Sequence, residues 1–501
     1  MKRFIKNNKN ILLFGLVIFL FVYIFYTNVH PLVIFDADDW TYISEPRSFI
    51  PLWGIWNPAK LFPETLMPLC GSIAAYLIYP FTNDYIGSFT IITAFLGAII
   101  ISIYICMFTK YIKKRFELND FISISIGILF FLIHFLIFVV GTNNNQYMFL
   151  THNVNCFYNY LIPNLLCFIL IFYLLINDID YSINFPKNIK YGMLLFCIYI
   201  AIFSNLYCNI VLGVYSGSLI FYRFIKKKKG ISITKFFKDN FLLFLIIILW
   251  IVALVFELSG GRAELQHKGD YFLLVKDCLY YLKEMILHGM NRNLLISFII
   301  VFLAFLITIV RNKDKKENLD VYITITISLI VLTIYMILVS AKVGPEYILR
   351  VEDTFGIYAF GIIFIIICLT YLFKTYPKLV IVLPILVVFF LVEFNSNYKT
   401  FKETNSSNIN PNICKQVGED VINQIIEADK NGDNNLELHV PYANTGDNWP
   451  HSTYIGKRIS KTLYKHNLIN RIIDITVVPD NEMNVKYNLQ KYSELYNNLT
   501  E

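Results

Sequence analysis

Apolar runs, each near the length of about 20 residues that a helix needs to cross a bilayer, follow one another through the first 395 residues of this 501-residue chain. No water-soluble core can absorb so many, so the runs dictate a bundle of membrane-spanning helices. Composition agrees. Hydrophobic residues make up 56% and charged residues 16% of the chain, against about 45–50% and 25% in ordinary soluble domains. Mean hydropathy is +0.55. A soluble cytoplasmic enzyme, a disordered scaffold and a secreted disulfide module are excluded together.

We place spans near 11–27, 85–109, 120–140, 161–177, 190–204, 207–222, 240–257, 294–311, 319–340, 355–373 and 378–394. The segment 67–82 is short and has Pro at both ends, and counting it as a span would invert everything after it. The net charge of +7 decides the matter through its distribution. Lys110, Lys113, Lys114 and Arg115, then Arg223 with Lys226 to Lys229, then Arg311 to Lys316, mark loop ends that the positive-inside bias assigns to the cytoplasm. With 67–82 left at the interface, about eleven spans result, the N-terminus inside and the C-terminus outside. Such blocks also remove the case for a nucleic-acid partner. The nine cysteines contain no CxxC pair, so they define neither a disulfide frame nor a redox compartment.

The expected fold class is therefore an all-α polytopic membrane domain over 1–395, followed by a small extracytoplasmic α/β domain over 396–501. In that tail Gln416–Ala428 and Thr453–His466 have helical periodicity, while Leu436–Val440 and Arg471–Val478 read as strands. Two other external segments are large, 28–84 and 258–293. No internal repeat is visible, which argues against an inverted-repeat transporter.

The sharpest local feature is Asp36-Ala37-Asp38-Asp39-Trp40, just beyond the first span. Three carboxylates that close repel and are costly near hydrocarbon. They stay in water, or they meet a cation, a metal or a proton donor. The plain alternative is a solvated loop in which Asp39 caps a short helix starting at Trp40. The aromatic and Pro-rich stretch that follows (Tyr42, Trp53, Trp56, Pro58, Pro63) suits a loop packed at the membrane interface. Acids there can take a proton from a sugar hydroxyl, or hold a divalent metal, Mg or Mn, on Asp36 and Asp38.

This motif, placed in the first external loop after one span, resembles the GT-C superfamily of polytopic glycosyltransferases. More closely, the chain resembles the bacterial serotype-converting glucosyltransferases and related membrane proteins. Asp38-Asp39-Trp40 with Tyr42, Ser204-Asn205-Leu206-Tyr207, Gly260-Gly261-Arg262-Ala263 and Asp447-Asn448-Trp449-Pro450 carry the likeness. It implies transfer of a sugar from a polyprenyl-phosphate donor to a cell-envelope glycopolymer on the outer face of a bacterial cytoplasmic membrane. It also implies a catalytic base or metal-linked carboxylate at Asp38 or Asp39, with Asp36 in support. The rival readings are a transporter or flippase of an envelope precursor and a non-enzymatic assembly protein.

A lipid-phosphate donor needs cations near the headgroups. Arg offers a bidentate fork to phosphate, so Arg350 and Arg262 are preferred; the alternative for Arg350 is pairing with Glu346, Glu352 or Asp353. Sugar or acceptor contacts are expected from Trp40 and Tyr42, and from His152 and Asn153 in the loop after the third span, since amides and aromatic rings suit sugar hydroxyls and faces. An ordinary polar interfacial loop is the alternative for the latter pair. The eight histidines form no HExxH, and His134 reads as a satisfied intramembrane histidine. Asp429-Lys430-Asn431-Gly432-Asp433 starts like a calcium loop but lacks the later Gly and Glu, so a helix-to-strand turn explains it as well.

Overall fold

The computed structural model describes residues 2–45, 58–59, 62–138, 147–177, 179, 181–183, 189–227, 232–258, 269–311, 319–397, 401, 409–442 and 455–490, with side chains from residue 9 onward. Among these, ten helices are long and apolar enough to cross a membrane: Lys9–Val29, Pro63–Thr82, Tyr85–Phe116, Val154–Ile176, Leu206–Ile225, Phe241–Leu258, Arg292–Arg311, Leu319–Val343, Val351–Thr375 and Pro377–Ser396. Asp120–Leu136 and Ile189–Ile202 are shorter apolar helices.

The centre of the bundle is Tyr85–Phe116, which packs against Lys9–Val29, Asp120–Leu136 and Val154–Ile176. Gly97 permits one of these close approaches, since a Cβ there would lie 2.8 Å from Phe157 Cζ. At the periphery the pattern reverses. Arg292–Arg311 and Pro377–Ser396 bury only 17% of their apolar windows, and Phe241–Leu258 buries 22%. Side chains such as Val255, Leu303, Ile307, Ile385 and Val388 point outward. An apolar belt of that extent is stable against lipid and not against water.

Leaving aside Pro63–Thr82, the helices run alternately between two ends of the bundle. One end carries the tail. The far end carries the basic blocks, where Arg115 makes a two-pronged pair with Asp320 at 2.6 and 2.9 Å and Lys114 donates to the Ile176 carbonyl. Pro63–Thr82 does not bridge the two. Gly71 and Tyr76 both lie against His466 of the tail, and Tyr79 meets Tyr85 at the start of the next helix. The helix therefore packs at the tail-bearing end.

Several span boundaries differ from the sequence reading. The second span, expected over 85–109, continues to Phe116, and the third ends at Leu136. Two further changes bear on the site. The fourth span starts at Val154, not 161, because Asn153 caps it through the Cys156 N–H and a π turn, Phe157–Leu161, leads into Pro163. Proline lacks an N–H and crowds the carbonyl four residues back, and the wider turn accommodates it without ending the helix. The tenth span starts at Val351, not 355, so Glu352 and Asp353 belong to a first helical turn and not to a loop.

In the tail, helix Pro411–Asn431 precedes β1 (Asn435–Pro441); helix Ile455–Lys465 then leads to β2 (Asp474–Asp480), which pairs in parallel with β1, Leu438 opposite Val477. A parallel pair needs such a crossover. Helix Ile455–Lys465 docks on the bundle through Thr462, whose hydroxyl donates to the Trp40 carbonyl at 2.6 Å, and through Lys461 and Lys465, which share Glu45. His466 seals the joint, its Nδ1 lying 2.6 Å from the Tyr85 hydroxyl.

That joint titrates. Burial, reinforced by the Lys465 charge, pushes the His466 pKa down from 6.5 to about 4. Neutral His466 thus contributes stability that is whole above pH 6.5 and is lost as pH falls toward 4. The shift is worth at most about 3 kcal/mol. Melting temperature should fall over that window, and His466→Gln should flatten the fall. An unchanged pH profile in the variant would remove His466 from the joint.

Candidate functional site

The first-loop acids occupy three different environments, because a short helix sorts them. Asp36 caps helix Ala37–Tyr42, its Oδ1 accepting from the Asp38 N–H at 2.7 Å. Asp39, at the third helical position, completes the reciprocal capping box. It is fully buried. Its Oδ2 accepts from the N–H groups of Phe35 and Asp36, both at 3.3 Å, and its Oδ1 accepts from the Asn155 N–H at 2.7 Å. The last bond places the carboxylate at the N-terminus of helix Val154–Ile176, where orphan N–H groups favour an anion. Burial, and then the Asp36 charge, nevertheless hold the Asp39 pKa well above the usual carboxylate range against those three donors. Asp38 is the acid that faces outward, with its side chain 57% exposed and paired at 2.9 Å with Arg458 of the tail helix. Arg458 also donates to the Ala37 carbonyl at 3.1 Å.

The loop and helix start at 151–156 carry a second set of charges on their other side. The His152 N–H donates to Glu352 Oε1 at 3.2 Å, and that oxygen also takes Arg350 Nη2 at 2.9 Å. Arg350 Nε lies 3.4 Å from Asp353 Oδ2, and Nη2 donates to Cys156 Sγ at 3.2 Å. The guanidinium rests between the rings of Tyr160 and Tyr347, at 5.6 and 5.1 Å. One short chain segment therefore ties the first-loop acids to the Arg350–Glu352–Asp353 group. Asp39 and Arg350, 311 positions apart by number, are brought close through Asn155 and Cys156.

Several expected roles change on this geometry. Asp39 is a structural staple, since its oxygens already serve three backbone donors. Trp40 is buried at 2% exposure, stacked 6.4 Å from Tyr85, and is not an open sugar platform. Tyr42 is half-buried. Asn153 spends its side-chain oxygen on the Cys156 N–H, and His152 enters the network through its backbone. Arg350 faces two carboxylates, so as arranged it offers no surplus charge to a phosphate. Arg262 lies outside the described residues. The metal expected on Asp36 and Asp38 does not fit. One Asp36 oxygen caps the helix, Asp38 already meets a cation, and among the described residues no three His, Cys, Asp or Glu side chains converge on a metal position. The calcium-like loop is a turn, with Gly432 at φ +86° ending its helix and Asp429 accepting from Asn470 and Arg471. His134 is satisfied as expected, by the Tyr104 hydroxyl and the Phe130 carbonyl.

Sequence reasoning missed Cys156 and Arg458. A signal existed for Cys156, in the Asn-Val-Asn-Cys start of the helix. For Arg458 there was none, because its partner lies 420 residues away. No family model matches the chain, and no curated protein and no solved structure matches it either.

Proposed function

We propose that this protein is a GT-C-type glycosyltransferase of a bacterial cytoplasmic membrane, with the N-terminus in the cytoplasm and the tail outside. It takes a hexose from a polyprenyl-phosphate donor and attaches it to a cell-envelope glycopolymer. The observation that carries this reading is the convergence of the Asp36–Asp39 helix, the 151–156 segment and the Arg350 group at the tail-bearing end, beside an interfacial helix. The base falls to Asp38, the outward-facing carboxylate. It accepts the acceptor hydroxyl proton as the acceptor oxygen bonds to the sugar C1, while the C1–O bond to phosphate breaks and the lipid phosphate leaves with the electron pair. Arg458 positions Asp38. With Arg350 committed to two carboxylates, the donor phosphate is assigned to Arg262.

The test is incubation of purified protein with radiolabelled polyprenyl-phosphate hexoses and envelope glycopolymers. Asp38→Asn should keep its melting temperature and lose about 10²-fold or more in turnover, the scale of lost acid–base assistance. Full turnover in Asp38→Asn and in Asp36→Asn would end the assignment, and vectorial transport without transfer would favour a flippase. Orientation is checked separately by cysteine labelling. Ser406→Cys should react with an impermeant reagent added outside, and Ser232→Cys should not. The opposite pattern would falsify the topology.

A further inference from the structure

A cleft of about 500 Å³ opens at the basic end of the bundle, the end opposite the first-loop acids. That size lies within the roughly 300–1,000 Å³ of small-molecule sites. Ser182 and Ile183 form one wall, and the turn and short helix from Ser232 to Asp239 form the other. Backbone bonds tie the walls together. The Ile183 N–H donates to the Lys238 carbonyl at 2.8 Å, and the Leu242 N–H donates to the Tyr181 carbonyl at 2.9 Å. Arg223 braces the joint, its Nη1 donating to Asn240 Oδ1 at 2.7 Å and its guanidinium lying 4.6 Å from the Tyr181 ring centroid.

The cleft holds donors and positive charge in excess. Lys235 and Lys238 are exposed, and neither ammonium has an ion-pair partner among the described residues. The Thr234 hydroxyl is likewise unpartnered among them. Ser232 Oγ accepts from the Lys235 N–H at 3.2 Å, which leaves its own proton to donate. Asp239 is the one acid among the described lining residues. Behind the two ammoniums, Arg223 meets an amide and a ring and not an acid. Lys227 extends the same charge, since its Nζ lies 5.9 Å from the Phe224 ring and that ring meets Phe236 at 5.7 Å. A ligand that suits these walls is an anion with several acceptor oxygens, and a phosphate supplies both.

The surroundings favour a lipid as the source of that phosphate. The short helix Ile233–Asp239 buries Phe236 but leaves Ile233 65% and Phe237 48% exposed. The Phe237 ring lies 4.3 Å from Phe244, at the start of the apolar helix Phe241–Leu258. Exposed apolar side chains beside unpaired ammoniums mark headgroup depth in a bilayer. A soluble phosphate leaves those apolar groups bare, whereas the acyl chains of a lipid cover them.

We propose that Lys235 and Lys238, with the Thr234 and Ser232 hydroxyls, hold the phosphate of an anionic phospholipid whose acyl chains lie over Ile233 and Phe237. The site is independent of the chemistry assigned to the tail-bearing end. The probe is dioctanoyl phosphatidylglycerol, titrated against the full chain in a neutral detergent and read by native mass spectrometry. Dioctanoyl phosphatidylcholine is the zwitterionic comparison, and glycerol 3-phosphate is the lipid-free arm. Phosphatidylglycerol should bind about 10-fold or more tightly than either. Lys235→Gln combined with Lys238→Gln should weaken it by roughly 10- to 30-fold, the effect of two basic side chains at an anionic lipid surface. Thr234→Val keeps the shape, removes one donor and should weaken it several-fold. These positions are exposed, and equal melting temperatures without lipid check that the variants fold. The control is Lys374→Gln combined with Lys378→Gln, the same charge change at the same end but outside the cleft, which should leave binding intact. Equal affinity for the two lipids, unchanged binding in the Lys235 and Lys238 double variant, or an equal loss in the control would each overturn the site. Glycerol 3-phosphate binding as tightly as the lipid, with the same dependence on both lysines, would overturn the lipid assignment in favour of a soluble phosphate.

Discussion

Arg350→Ala should lower the stability of the folded protein by about 3–5 kcal/mol, the cost typical of removing one partner from a buried ion pair. The loss is large because two acids depend on one guanidinium. Glu352 has a side chain 6% exposed and Asp353 one that is 0% exposed, and Arg350 reaches both from the N-cap of their helix. Without it they repel each other in a low-dielectric setting, and Cys156 loses the donor at its sulfur. Arg350→Lys should recover only part, since an ammonium supplies the charge but not the fork that spans Glu352, Asp353 and Cys156 together. The measurement is melting temperature and polyprenyl-phosphate hexose affinity on the same preparation. A lowered melting temperature with unchanged affinity keeps Arg350 as the partner of these acids. Unchanged stability with affinity lost 10-fold or more returns it to the phosphate.

Asp39→Leu is the second large effect, at about 3 kcal/mol or more. Leucine fills the space but leaves the N–H groups of Phe35, Asp36 and Asn155 without acceptors, and each buried orphan costs about 1–3 kcal/mol. The two bonds at 3.3 Å are the weaker ones, and the bond to Asn155 at 2.7 Å carries most of the effect. The deficit depends on pH with a defined sign. Folding raises the Asp39 pKa, so the wild-type residue's contribution is whole below the unfolded carboxylate pKa and declines as pH rises through the folded one. The gap between wild type and Asp39→Leu should therefore be widest in acid and narrow toward alkaline pH. Chemical denaturation of both proteins across that range measures it. A base at this position would instead show full stability and lost turnover in Asp39→Asn.

The two predictions mark where reading the chain residue by residue stops being enough. The span count was not legible: among the described residues ten helices, Pro63–Thr82 included, are long and apolar enough to cross a membrane, where about eleven spans without it were expected. The all-helical polytopic bundle, the order of its apolar helices and the strands and helices of the tail were legible in the sequence, for two reasons. Apolar length is a local property that bilayer thickness fixes, and strand or helix periodicity is local too. The acids of the first loop were visible as a cluster for the same reason. Their division of labour was not. Which of Asp36, Asp38 and Asp39 caps, which staples and which faces outward depends on a helix of six residues and on partners at Asn155 and Arg458, contacts between segments far apart in the chain. Local pattern also failed at Val154 and Val351, where polar residues and Pro163 look like loop. There the cap at Asn153 and a π turn let the helix begin early, because buried backbone groups must be paired and a helix is the cheapest way to pair them. Hydrophobic length by itself determined that this chain folds as a bundle of apolar helices; only tertiary packing decided which charges meet.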